Sequence, residues 1–99
     1  MLKIINHYGI NHQQRKLQEE VFELQEAIID YKYVEVYKGS PAEKYHKEHI
    51  AEEIADVLNL LEQFRLYYDI SLNDVKNIGK SKINRQLERI RKEAMESEE

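Results

Sequence analysis

Apolar residues recur at helical spacing in three segments of this chain. Leu17, Val21, Leu24 and Ile28 fall at steps of four, three and four, which draws one stripe along a helix. The pattern predicts a helix from about Asn11 to Tyr37, preceded by a short N-terminal segment, residues 1–10. Its distal part, Tyr31-Lys32-Tyr33-Val34-Glu35-Val36-Tyr37, alternates like a strand. A lone strand has nothing to pair with, so the helix is carried through. Lys38-Gly39-Ser40-Pro41 is the clearest break, with Pro41 suited to the first turn of the next helix and Ser40 to its cap. A second helix then runs from about Ala42 to Tyr68, with Ile50, Ile54, Val57, Leu61, Phe64 and Tyr68 facing inward. Asp69-Ile70 interrupts it. Ser71 and Asp74 start a third helix as cap and as a negative charge at its positive end. This helix continues through Ile83, Leu87 and Ile90 to about Met95, with Gly79 a place for a kink and residues 96–99 expected to fray.

Composition narrows the class. With 99 residues, one proline and three glycines, the chain has few turns, which disfavours a many-stranded fold and favours helices with short connections. It reads as a single all-α domain whose own core is small, an antiparallel helical bundle of three main helices. A four-helix-bundle-like core is then completed by oligomerisation. Without cysteine there is no disulfide, thiolate zinc cluster or cysteine nucleophile. The net charge of −4 argues against binding a nucleic acid polymer. No apolar run is long enough for a membrane span, and Met1–Ile5 is too short for a signal peptide, so a cytoplasmic protein is expected.

Candidate chemistry lies in a short internal repeat. Leu17-Gln18-Glu19-Glu20-Val21-Phe22-Glu23-Leu24 and Ile50-Ala51-Glu52-Glu53-Ile54-Ala55-Asp56-Val57 share one pattern: aliphatic, any, Glu, Glu, β-branched, any, carboxylate, aliphatic. On a helix Glu20 lies about 60° from the Leu17 direction and Glu23 about 60° further round, and Glu53 and Asp56 stand likewise to Ile50. Each pair therefore sits on the shoulder of an apolar stripe, one turn apart. If the two helices pack antiparallel, four carboxylates converge at the edge of the core, where their mutual repulsion calls for a hard divalent cation. The alternative is a solvated acidic face, to which Glu26, Asp30, Glu35 and Glu62 are assigned.

Glu19-Glu20-x-x-Glu23 followed by Glu53-x-x-Asp56 resembles the double signature of MazG-like, all-α nucleoside triphosphate pyrophosphohydrolases, relatives of dimeric dUTPases and dCTP pyrophosphatases. The flanks Lys16–Ile28 and Ala51–Leu58 are similar to the small single-domain members found in phages and Gram-positive bacteria, and Lys80–Ile90 resembles their third helix. The resemblance covers about residues 8 to 92. It implies hydrolysis of a nucleoside or deoxynucleoside triphosphate to monophosphate and pyrophosphate, in the service of nucleotide-pool control. Mg2+, with Mn2+ as a substitute, would be held by Glu20, Glu23, Glu53 and Asp56. Glu19 is either a contributor to water activation or a surface residue. The resemblance also implies a homodimer or homotetramer.

A triphosphate needs cations that the carboxylates do not supply. Lys76, Lys80 and Arg85 are the candidates, with Asn84 one turn after Lys80 and matching an asparagine of the resembled helix; the alternative is a solvated basic face. Gln13, two turns before Glu20, either meets base or sugar or is an exposed helical glutamine. Asn59 stands either behind the metal or at the surface. Glu43-x-x-His46 is half of a di-iron carboxylate motif whose other half is missing. Tyr31, Tyr33, Tyr37 and Tyr45 are assigned to a subunit interface or the connection. A non-catalytic helical interaction protein, such as a phage accessory protein, and a metal-binding scaffold without turnover are the competing readings; both make the pyrophosphohydrolase chemistry dispensable.

Overall fold

The structure is a computed structural model and describes residues 1–97. Four α-helices follow one another, α1 (Leu2–Tyr8), α2 (Ile10–Tyr31), α3 (Pro41–Tyr67) and α4 (Leu72–Ser97), with a 3₁₀ turn at Glu35–Tyr37 between α2 and α3. The protein is all-helical, with no strand among the described residues.

Two helix limits differ from the sequence expectation. Residues 1–10 are not a loose segment: α1 forms, buries Ile5 completely and packs on both α2 and α3. Gly9, at φ 91°, ends α1 with its N–H on the Ile5 carbonyl and begins α2 with its carbonyl on the Gln13 N–H. That positive φ is open to glycine at little cost. The helix expected to reach Tyr37 stops at Tyr31, because aromatic and β-branched residues lose rotamer freedom in a helix. The N–H groups of Lys32, Tyr33 and Val34 turn instead to carbonyls three residues back, at 3.0–3.2 Å, and the chain tightens into the 3₁₀ turn.

The start of α3 follows the sequence closely. Ser40 Oγ accepts the Glu43 N–H at 3.1 Å, Pro41 occupies the first turn, and Glu43 Oε1 reaches back to accept the Gly39 N–H at 3.2 Å. This reciprocal cap explains why Glu43 is buried in a first turn.

The chain divides into two compact units, Met1–Tyr68 and the remainder from Asp69. Asp69, at φ 54°, takes the left-handed conformation that commonly terminates a helix. In the second unit, Ser71 Oγ accepts the Asp74 N–H at 3.4 Å, and α4 passes through Gly79 unbroken. Glu96 and Ser97 are helical; the expected fraying otherwise falls on Glu98 and Glu99, outside the described residues. No described residue of α4 is buried.

In the first unit α2 and α3 run antiparallel, as the pairings Gln13 with Gln63, Glu20 with Glu53 and Tyr31 with Glu43 require. The contact line is not the aliphatic stripe. On α2 the buried positions are Gln13, Glu20 and Ala27, seven residues apart, with Leu17 and Leu24 half-buried between them. On α3 they are Glu43, Glu53, Leu60 and Gln63, with Ile50, Val57 and Phe64 half-buried. Val21, Ile28, Ile54, Leu61 and Tyr68, expected to face inward, are exposed. The axis of contact has rotated from the stripe centre onto Glu20, so the carboxylate expected on the shoulder lies in the seam itself.

Candidate functional site

Midway along the α2–α3 seam, Glu20 and Glu23, one turn apart on α2, meet Glu53 of α3. Each offers a carboxylate oxygen, and the three lie within 4.8 Å of one another. Glu20 and Glu53 are only 7% and 8% exposed, and their Oε2 atoms are fully enclosed without a hydrogen-bond partner. Two buried acceptors in this state are costly unless something positive satisfies them. Partial compensation comes from Lys16, whose Nζ lies 3.0 Å from Glu20 Oε1, and the His49 ring stands near Glu53, with Nε2 4.0 Å from Oε1.

The electrostatics show the crowding. The hydrogen bond and charge of Glu20 raise the Glu23 carboxyl above the ordinary range, with smaller additions from burial and from Glu53, against the opposing pull of Lys16. The Lys16 ammonium is correspondingly raised, chiefly by Glu20 and further by Glu19 and Glu23. The donor set is all oxygen, which suits a hard cation such as Mg2+, Mn2+ or Ca2+ rather than a thiophilic one.

Beside the trio opens a cavity of about 730 Å³. Its lining includes the acids Glu19, Glu20 and Asp56 and the bases His12, Arg15 and Lys16, so acidic and basic side chains border one space. Gln13, Leu60 and Gln63 contribute buried surface, and α1 adds Ile4 and Tyr8. Gln13 Nε2 donates to Gln63 Oε1 at 2.8 Å, and Gln13 Oε1 lies 2.8 Å from His12 Nδ1, so the buried amides are fixed in orientation. The Tyr8 and His12 rings stack at 4.9 Å and 18°.

The sequence-selected residues thus separate into three groups. Glu20, Glu23 and Glu53 come together. Gln13, Glu19, Asp56 and Asn59 line the adjoining cavity; Asp56, a methylene shorter than glutamate and exposed, stands outside the trio. Lys76, Lys80, Asn84 and Arg85 are exposed on α4, in the second unit. Sequence reasoning overlooked Arg15, Lys16, Gln63 and the wall supplied by α1. Lys16 carried a signal, four residues before Glu20 and hence on its face.

A second polar cluster lies three turns earlier on α3. Burial and then Glu43 raise the Tyr31 phenol, and Glu43 Oε2 and His46 Nδ1 lack partners. Glu43 already serves as the helix cap, and no third metal-ligating acid or imidazole joins this pair among the described residues.

The first arrangement sets three carboxylates beside a space large enough for a charged organic molecule and lined by both acidic and basic side chains. No protein-family model, no curated protein and no solved structure matches the chain, so these side chains carry the functional case.

Proposed function

We propose that this protein is a magnesium-dependent nucleoside triphosphate pyrophosphohydrolase of the MazG-like all-α type. The observation that carries the proposal is the convergence of Glu20, Glu23 and Glu53 with two enclosed, unpartnered carboxylate oxygens beside a mixed-charge cavity. Glu20, Glu23 and Glu53 hold the cation, Asp56 approaches it from the cavity wall, and Mn2+ is a workable substitute. When bound, the cation neutralises phosphate oxygens and lowers the pKa of water. Glu19, also at the cavity, accepts a proton from the attacking water. The water oxygen bonds to the α phosphorus, and the bridging oxygen leaves with the β phosphorus as pyrophosphate. Gln13 faces the base or sugar. Arg15 and Lys16, which line the cavity, serve the phosphates.

Assembly is part of the proposal. Among the described residues only Ile5, Ala27 and Leu60 are buried hydrophobic side chains, whereas Phe22, Ile29, Leu58 and all the large apolar side chains of α4 are exposed. Burying these faces between copies as a homodimer or homotetramer supplies the apolar core that a single copy lacks.

The test is pyrophosphate release from each NTP and dNTP with Mg2+ by the wild type, Glu53→Gln and Asp56→Asn. Turnover in the wild type and its loss in both variants is the expected result. No turnover of any nucleotide with Mg2+ or Mn2+, and nucleotide binding unaltered in the variants, favours the interaction-protein reading instead.

A further inference from the structure

Lys16 is placed unlike an ordinary surface lysine. Its Nζ sits 3.0 Å from Glu20 Oε1, while Glu20 Oε2 is enclosed and unpartnered, so a single carboxylate carries both an ammonium and an empty acceptor. Its side chain is 47% exposed, against 9% for that of Glu20, so the lysine is free to move and the carboxylate is not. Lys16 also borders the cavity, together with Arg15, Glu19 and Asp56. Lysine preceding glutamate by four residues is the less favourable order for helix stability, which makes simple helix support a poor reason for this pair.

We propose that Lys16 is an exchangeable counter-ion: it holds Glu20 in the metal-free protein, gives way when a divalent cation takes that carboxylate, and turns into the cavity to meet polyphosphate. The inference rests on the metal-site reading above and adds a coupling to it. A cation between the three glutamates neutralises Glu20 and repels the Lys16 ammonium, which shifts it from the carboxylate toward phosphate in the cavity. Metal binding then prepares the anion site, and by linkage polyphosphate tightens metal binding in return. A compact ammonium on a four-carbon stem suits this exchange better than a planar guanidinium fixed by a bidentate pair.

The experiment compares wild type, Lys16→Met and Arg15→Met by calorimetry, first with Mn2+ alone and then with inorganic tripolyphosphate in the absence and presence of Mg2+. Both substitutions remove one positive charge from the same cavity, but only Lys16 pairs with Glu20 among the described ion pairs. Loss of the competing ammonium should tighten Mn2+ at least about fivefold more in Lys16→Met than in Arg15→Met. In wild type Mg2+ should strengthen tripolyphosphate binding, and in Lys16→Met that enhancement should shrink to what the cation itself contributes. Equal tightening of Mn2+ in the two variants, or an undiminished Mg2+ enhancement in Lys16→Met, overturns the exchange and leaves the metal site intact. Absence of Mn2+ binding to the wild type overturns the metal-site reading itself.

Discussion

The two faces of the α2–α3 pair invert the usual order of a helical protein. Where the helices touch, glutamine and glutamate occupy five of the buried positions: Gln13, Glu20, Glu43, Glu53 and Gln63. On the outside lie Val21, Phe22, Ile28 and Ile29 of α2 and Ile54, Leu58 and Leu61 of α3. Burying carboxylates costs stability, and the large aliphatic side chains that could offset it lie exposed in a single copy. The inversion separates two tasks. The seam gathers the carboxylates, and the aliphatic faces are left exposed in a single copy, where the proposed assembly would cover them.

The largest effect should come from breaking the cohesive face. Ile54, Leu58 and Leu61 recur at steps of four and three, and Leu58 is 57% exposed. Leu58→Asp should weaken association by about 2–4 kcal/mol, as for a buried interface anchor, and shift sedimentation toward the monomer. Unchanged sedimentation would mean that this face meets solvent and that the seam is the whole of the core.

The seam should respond in the opposite sense. In the absence of metal, Glu53→Gln relieves repulsion among three carboxylates and should raise stability by about 1–3 kcal/mol, measured as a higher melting temperature. Added Mg2+ should reverse the order, because only the wild type then gains binding free energy. The Glu23 carboxyl, raised chiefly by Glu20, binds a proton more readily when folded than unfolded. The metal-free wild type should therefore lose stability as pH rises from the ordinary carboxylate range through the raised one, and keep that loss above it. Mg2+ should flatten the slope. A melting temperature indifferent to pH, Mg2+ and substitution would show that the three acids do not interact.

How much of this contrast could be read from the chain depends on which signals are local. Ser40 and Pro41 at the start of α3, the break after Tyr68 and the Ser71 cap depend on neighbouring residues, and each was legible. The repeat also marked Glu20, Glu23 and Glu53. The rotation of the seam was not legible, because Leu17 and Leu24 flank Glu20 as closely as they flank Val21, and hydropathy selects the aliphatic residue. Deciding between them requires knowing what covers the outside. α1 was missed for a related reason: seven residues are too few for a periodic signal, and its stability comes from Ile5 entering a cleft formed by distant residues. The cavity wall from Ile4 and Tyr8 followed α1 out of view.

A smaller effect separates polar burial that serves structure from polar burial that serves chemistry. Gln13 and Gln63 bond to each other at 2.8 Å, and both are 4% exposed. Gln63→Leu should destabilise by about 1–3 kcal/mol, since it leaves a buried Gln13 amide without its acceptor. Adding Gln13→Leu should recover much of that loss, because two apolar groups then meet where two amides did. A double-mutant cycle in chemical denaturation reads the coupling. If the double variant is as stable as wild type yet binds nucleotide poorly, the amide pair is retained for recognition. If it stays destabilised, the pair is part of the framework.

The smallest change sets the baseline for all of these. Ser40 caps the same helix that carries Glu53 and Gln63, but it lies more than three turns from the trio and outside the cavity lining. Ser40→Ala removes an acceptor for the Glu43 N–H and should cost about 1 kcal/mol. That loss should be the same with and without Mg2+ and should leave metal affinity unchanged, since weakening the first turn of α3 moves none of the three carboxylates. Equal losses would show that the Mg2+ dependence of Glu53→Gln belongs to the seam and not to α3 as a whole. A Ser40→Ala cost that grows or vanishes with Mg2+ would join the cap and the carboxylates into one cooperative unit, and the division between a cohesive framework and a chemical seam would have to be drawn elsewhere.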